Sequence, residues 1–251
     1  MTKKKMYERV HEGDLRITKR NAGQFTNIEY LDGILTVDGG VDITLPNLIT
    51  VGNIVMNPSS QLHLPECTAI SDRISMGRQS RLIVPKLTNL KTAYLDPKAI
   101  LLMERCRTIG YLTMESASTV SLPNCLTIES KFQGRDIDIE LPRCETIGDI
   151  EINDESTMLL PACKEVRNTL HVGERCTAQL PVCTSIKMVV TLKGALVEIP
   201  NCTPETAKHA GSTLGDVVYK AAVVPVKPVQ AIVINYGALS QFFGANNATA
   251  L

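Results

Sequence analysis

A unit of nineteen residues recurs along most of this chain, anchored by the pattern Leu-Pro-x-Cys-x-x-Ile. Leu122, Pro123, Cys125 and Ile128 form one copy, Leu141, Pro142, Cys144 and Ile147 the next, and Leu160, Pro161, Cys163 and Val166 follow. The prolines Pro46, Pro65, Pro85, Pro123, Pro142, Pro161, Pro181 and Pro200 stand in register, with Glu104 holding the remaining place, at steps of 19 or 20 residues. Self-similarity at a fixed short period is the mark of a solenoid, in which each unit buries its apolar face only against its neighbours.

The columns beside the prolines say what each unit is made of. Leu62, Leu82, Leu101, Val120, Ile139 and Met158 form one apolar column, and Val51, Ile70, Leu90, Ile109, Ile128 and Ile147 another. Apolar pairs with one residue between them, such as Ile54 with Met56 and Ile150 with Ile152, show the two-residue alternation of a strand with one buried face. The proline ends the second strand piece, having no N–H to give to a ladder. No unit has room for a long helix. The expectation is a mainly β chain, a single-chain parallel β-solenoid of about eight to nine coils. The two 20-residue units carry their extra residue in Ile70-Ser-Asp-Arg-Ile74 and Val166-Arg-Asn-Thr-Leu170, which places it in a turn. In the unit at Pro123, Phe132 takes the strand position but Gly134 follows where an apolar partner is due, which predicts a bulge or distorted turn.

The organisation then reads as an N-terminal β cap over 1–43, a repeat solenoid over 44–203, a capping helix over 204–221 and an uncharged tail over 222–251. In the cap, Phe25 and Ile28 echo the cysteine and isoleucine columns. The helix is predicted from Thr203-Pro204-Glu205 as its start and from the spacing of Ala207, Ala210, Leu214, Val217 and Val218. From Pro228 to Leu251 there is no charged residue, and Val223–Val226 and Ala231–Ile234 read as strands. So much apolar sequence needs a cover. The expectation is a subunit contact through Val224, Ile232, Ile234, Tyr236, Phe242 and Phe243, giving a homo-oligomer.

Ile147-x-x-Ile150-x-Ile152 matches the L-x-x-L-x-L core of leucine-rich repeats, and over residues 44–203 the chain resembles the short, helix-poor repeats of bacterial and bacteriophage members of that family. It departs from the family in its shorter unit, in lacking the convex helix and in showing no evident asparagine ladder. The resemblance implies protein binding through a sheet face and carries over no catalytic residue.

Seven cysteines, Cys67, Cys106, Cys125, Cys144, Cys163, Cys183 and Cys202, share one repeat position, which Leu48 and Leu87 take in two other coils. Leucine replaces a small buried thiol but ligates no metal, so the column favours structural thiols over disulfides or zinc. Cys176 lies off that column, in a turn beside Arg175, and reads as a half-buried turn residue or else as the most reactive thiol. Unpaired thiols and the absence of an apolar leader predict a cytoplasmic protein.

The net charge is zero, with 26 basic and 26 acidic residues, and Trp is absent. This argues against nucleic acid as a partner and gives no membrane segment. The residues alternating outward on the first strand form the row Val55, Ser75, Tyr94, Thr113, Gln133, Glu151, His171, Val190. On the second strand they include Ile83, Leu102 and Leu159, apolar residues that an exposed face does not need. The candidate protein-binding residues are Tyr94, Gln133, Glu151 and His171 with Ile83, Leu102 and Leu159. Asp136, Asp138, Glu140, Glu151, Asp154 and Glu155 lie on adjacent coils, but Lys131, Arg135 and Arg143 are interspersed, as on a solvated surface. No phosphate loop, CxxC or HExxH motif is present, and no cofactor or metal is implied. The expected function is a non-enzymatic scaffold, a bacterial or phage regulator or inhibitor that binds another protein. The alternatives are a structural oligomer of a virion or other assembly, and a carbohydrate-active β-helix enzyme.

Overall fold

The computed structural model describes residues 9–202 and the short strands Ala207–His209 and Asp216–Val218. They form a parallel β-solenoid of about ten turns. Each regular turn lays one long strand on a 13-stranded sheet, sheet I, and one three-residue strand on a second face. Sheet I runs from Val10–Glu12 and Tyr30–Val37 through Thr50–Met56, Arg73–Met76, Asn89–Leu95, Thr108–Met114, Thr127–Arg135, Thr146–Asn153, Glu165–Val172 and Ser185–Thr191 to Ala207–His209. The second face is divided. Sheet II holds Asp42–Thr44, Gln61–His63, Arg81–Ile83, Ile100–Leu102 and Thr119–Ser121. Sheet III holds Asp138–Glu140, Thr157–Leu159, Thr177–Gln179, Leu196–Glu198 and Asp216–Val218.

The repeat columns become the interior. Leu35, Ile54, Ile74, Ala93, Leu112, Phe132, Ile150, Leu170 and Val189 pair rung by rung along sheet I and all are buried. Each such side chain removed from water stabilises by about 1.5–3 kcal/mol when large. The cysteine column is buried throughout and forms no disulfide. Its thiols turn to the carbonyl two residues on: Cys67 to Ala69 at 3.5 Å, Cys125 to Thr127 at 3.6 Å and Cys163 to Glu165 at 3.5 Å. A small apolar group that is also a weak donor suits this place, and Leu48 and Leu87 show that the donor is dispensable.

The N-terminal segment is β as expected and is built into the stack as its first turn: Leu15–Ile17 and Val10–Glu12 both pair in parallel with Tyr30–Val37. Its register is shifted, since Leu31 pairs with Val51 in the isoleucine column. Ile28 therefore holds the place of Leu48, and its amide donates to the Phe25 carbonyl as that of Leu48 does to Leu45. The helix expected over 204–221 is replaced, where the chain is described, by strands. Ala207–His209 extends sheet I and Asp216–Val218 extends sheet III, because open strand edges of the last full turn offer backbone partners that a lone amphipathic helix does not. The rest of 203–251, including the uncharged tail, lies outside the described residues. No asparagine ladder runs along the stack, but three isolated asparagines, four turns apart, bridge neighbouring turns. Asn47, Asn124 and Asn201, each following the proline position, donate through Nδ2 to the previous turn at Thr26, Glu104 and Pro181 carbonyls (3.0, 2.7 and 2.6 Å).

One extra residue sits in a bend between two strands, as expected, and the other in a bulge within a strand of sheet I. Near Ile70 the strand is interrupted between Ala69–Ile70 and Arg73–Met76, and near Val166 a bulge shifts the register inside Glu165–Val172. At three of the irregularities the amide that follows is received by a side-chain oxygen of the turn before it. Asn53 accepts from Arg73 at 3.0 Å, Asp149 from Thr169 at 3.0 Å and, at a third bulge, Asp14 from Ile34 at 2.9 Å. The corner that leads into the second face is the other recurrent device. Gly40, Ser59, Gln79, Lys98, Ala117, Asp136, Glu155, Arg175 and Gly194 all adopt left-handed backbone with φ between 50° and 71°.

Candidate functional site

The outward row read from the repeat is a physical ladder. Parallel pairing sets Ser75 beside Tyr94, Tyr94 beside Thr113, Thr113 beside Gln133, Gln133 beside Glu151, Glu151 beside His171 and His171 beside Val190. Side chains of neighbouring rungs lie about 4.8 Å apart, one strand spacing. Tyr94, Gln133, Glu151 and His171 are therefore brought onto one face of sheet I.

A second outward row, two residues earlier along each strand, fixes the first. Tyr111 pairs with Lys131 and Lys131 with Asp149. The Tyr111 hydroxyl donates to Gln133 Oε1 at 3.0 Å, and the Tyr94 and Tyr111 rings lie 5.9 Å apart at 52°. Lys131 Nζ donates to Glu151 Oε2 at 2.5 Å and Asn153 Nδ2 to Glu151 Oε1 at 3.1 Å. The Lys131 hydrogen bond holds the Glu151 carboxyl below its usual range, and Glu151 in turn raises the Lys131 ammonium. Asp149 is tied to Asn168 Nδ2 at 3.1 Å as well as to the Thr169 amide. At either end of this network stand two buried polar atoms without a partner among the described residues, Thr113 Oγ1 and His171 Nδ1. Tyr94 is 41% exposed.

Ile83, Leu102 and Leu159 do not join this site. Ile83 and Leu102 are adjacent rungs of sheet II, and Leu159 lies on sheet III, across the division of that face. Leu102, expected as exposed apolar surface, is 2% exposed and offers nothing to a partner. Nearby His63, also on sheet II, has its imidazole pushed down by burial. The acidic residues from 136 to 155 disperse in the same way. Glu151 faces out from sheet I, Asp138 and Glu140 belong to sheet III, and Asp154 and Glu155 form ion pairs with Arg135 and Arg175. Among the described residues no group of three or more His, Cys, Asp or Glu side chains is placed to hold a metal ion.

Cys176 is fully buried, which overturns its reading as an accessible or half-buried turn thiol. It belongs to a second column that the sequence reading missed: Val41, Ser60, Ser80, Ala99, Ser118, Ile137, Ser156, Cys176 and Ala195, each five residues before the proline position and each buried. The recurrent serines were the available signal. Ser60, Ser80 and Ser156 hydroxyls donate to the carbonyls of Asn57, Gly77 and Asn153 at 2.6, 2.6 and 2.5 Å, closing the left-handed corner. Burial raises the Cys176 thiol, lifts Cys67 to about 11 and lifts Cys106 to about 12. S–H bonding between neighbours, together with burial, raises Cys144 and Cys163 further. None of these is poised as a nucleophile.

Fold and face together define a β-solenoid repeat protein with one pre-organised polar and aromatic sheet face. Compared with family models, with curated proteins and with solved structures, the chain finds no match in any of the three.

Proposed function

We propose that the chain is a non-enzymatic protein-binding scaffold of leucine-rich-repeat-like type, which recognises another protein through the sheet I ladder centred on Tyr94, Gln133, Glu151 and His171. The observation that carries this reading is the continuous in-register row, with its polar members held by Tyr111, Lys131 and Asn153. Side chains already fixed on a rigid sheet lose little conformational entropy on binding, and tyrosine is favoured at interface hot spots. A regulator or inhibitor that acts by occupying another protein's surface fits such a face. Self-association through Val224, Ile232, Ile234, Tyr236, Phe242 and Phe243 is part of the same proposal, and light scattering of a chain ending near Ala221 tests it: an unchanged oligomeric mass refutes it.

The ladder itself is tested by affinity capture from a lysate of the source cells. The full chain is compared with a Tyr94→Ala/Glu151→Lys variant and a Leu159→Ser control. The proposal expects a protein held by the full chain and the control but lost from the double variant. Equal retention on all three overturns it.

A further inference from the structure

At the corner that leads into sheet I, one backbone bond between turns is missing. The amide three residues after the proline position otherwise donates to the previous turn, as Thr68 does to Ile49 at 2.9 Å, Arg107 to Thr88 at 2.7 Å and Leu126 to Arg107 at 2.8 Å. The Thr88 amide makes no such bond to Thr68, and Ala69–Ile70 pairs with Thr50–Met56 but not with Asn89–Leu95. An extra residue does not by itself open a turn, since Thr184 still donates to Lys164 at 3.0 Å beside the bulge after Val166.

The gap is the start of a groove of about 400 Å³ that runs along the solenoid past Thr108 to Glu129. Its rims carry the exposed side chains of Thr68 and Ser71 on one turn and of Thr88 and Asn89 on the next. Ile70 and Leu90, 5% and 3% exposed, form its floor. Along the strands the gap is bounded on both sides. Lys86 Nζ is paired with Glu66 Oε2 at 2.6 Å, and the Thr92 amide donates to the Asp72 carbonyl at 3.2 Å. The charged residues lining the groove are Lys91 and Glu129, two turns apart. Both are exposed, and neither is in an ion pair with a described residue.

We propose that this groove binds a short peptide with free termini, of dipeptide size. The unmade bond leaves a donor at the Thr88 amide and an acceptor at the Thr68 carbonyl. A peptide group, itself one donor and one acceptor, satisfies both. Lys91 takes the ligand's carboxylate and Glu129 its ammonium. Two extended residues span about 7 Å, which leaves room for a charge-assisted bond of ~2.8 Å at either end between side chains rooted about 10 Å apart. A ligand with only one charged end leaves Lys91 or Glu129 without its counter-charge, so both ends are selected. The groove shares no residue with the ladder centred on Tyr94, Gln133, Glu151 and His171, and the proposal does not depend on that reading.

The test titrates the isotope-labelled full chain with alanyl-alanine, its N-acetyl form and its C-terminal amide. Amide chemical shifts and hydrogen exchange are read by NMR. The proposal expects the Thr88 amide to exchange faster in the free chain than the amides of Arg107 and Leu126. Alanyl-alanine should shift Thr88 and Asn89, slow exchange at Thr88 and bind at least tenfold more tightly than either blocked form. Lys91→Met is expected to remove the advantage over the amide, and Glu129→Gln the advantage over the N-acetyl form. Tyr94→Ala/Glu151→Lys should leave both advantages in place, which separates the groove from the ladder. The proposal is overturned by a Thr88 amide as protected in the free chain as that of Arg107, or by no shift at Thr88 and Asn89 with millimolar dipeptide. Equal binding of the three probes overturns it too, as does a preference that survives Lys91→Met and Glu129→Gln or is lost in Tyr94→Ala/Glu151→Lys.

Discussion

The Ile137 side chain packs into the space that Gly134 leaves, with its Cδ1 and Cγ1 so close to the place of a Gly134 Cβ that adding one would force a shift. Gly134 replaces the inward residue that is Met114 and Ile152 in the turns on either side, and Ile137 replaces a small corner residue such as Ser118 or Ser156. Each departure from the repeat compensates the other. Gly134→Ala is therefore expected to destabilise by about 1–3 kcal/mol through overpacking, and Ile137→Ala by about 2–4 kcal/mol through the cavity it opens. The double variant should lose clearly less than their sum, because the first change fills part of the second's cavity. Urea unfolding of the three variants measures this, and strict additivity contradicts it.

The left-handed corners carry strain wherever glycine is absent. An L-residue in this conformation costs roughly 1–2 kcal/mol, offset in part by the extra unfolded-state entropy of glycine. Ala117→Gly is expected to raise stability by about 0.5 kcal/mol. Gly194→Val, at the same corner position, is expected to lower it by ~1–2 kcal/mol. Denaturant midpoints decide both signs.

The buried thiols predict alkaline sensitivity. Burial raises Cys106 from its ordinary 9.0 to about 12, so the folded chain keeps a proton that the unfolded chain releases. That contribution is complete below pH 9 and is lost as pH rises from there towards the folded value, at ~1.4 kcal/mol per pH unit for each such thiol. Cys106→Leu, the residue that Leu87 places at this position in the preceding turn, should remove one thiol's share of the slope. Melting temperatures between pH 8 and pH 10.5 read it, and an unchanged slope speaks against a buried, protonated thiol.

Glu151 predicts the opposite window. Its carboxyl is lowered from the ordinary 4.5 by the Lys131 and Asn153 hydrogen bonds, so its contribution is present above that value and is lost as pH falls through the folded one. Lys131→Met is expected to move the Glu151 titration, followed by carboxyl NMR, back up towards the ordinary range. No movement would mean that Lys131 does not hold the carboxylate.

The fold was legible because a solenoid writes its core as columns. The leucines before the prolines, the cysteines and the alternating pairs each fill one layer, and the outward row from Val55 to Val190 follows from alternation alone. What was hidden depends on partners rather than on pattern. Ala207 and Val217 have helical spacing, but an open sheet edge recruits their backbone. Ile28 looked like an isoleucine-column residue until pairing of Leu31 with Val51 fixed the register. The corner conformation at Ser59, Lys98 or Arg175 has no residue signature, since only Gly40 and Gly194 advertise it. The break between Thr119–Ser121 and Asp138–Glu140 accompanies one residue moved within a constant period, since the step from Ile128 to Phe132 is four residues where that from Ile147 to Ile150 is three, and spacing between prolines does not reveal it. Gly134 was the visible warning, and it pointed to the bulge but not to the unpaired strands downstream.

The central claim is that consecutive turns stack in register, so that Gln133, Glu151 and His171 are successive rungs of one ladder. Cysteine pairs introduced at those positions, with the native thiols buried, can be bridged by a bifunctional thiosulfonate spanning about one strand spacing, ~5 Å. The account predicts rapid intramolecular bridging of Gln133→Cys/Glu151→Cys and Glu151→Cys/His171→Cys, and none of Gln133→Cys/His171→Cys, two spacings apart. Failure of both adjacent pairs, or equal bridging of the distant pair, would contradict it.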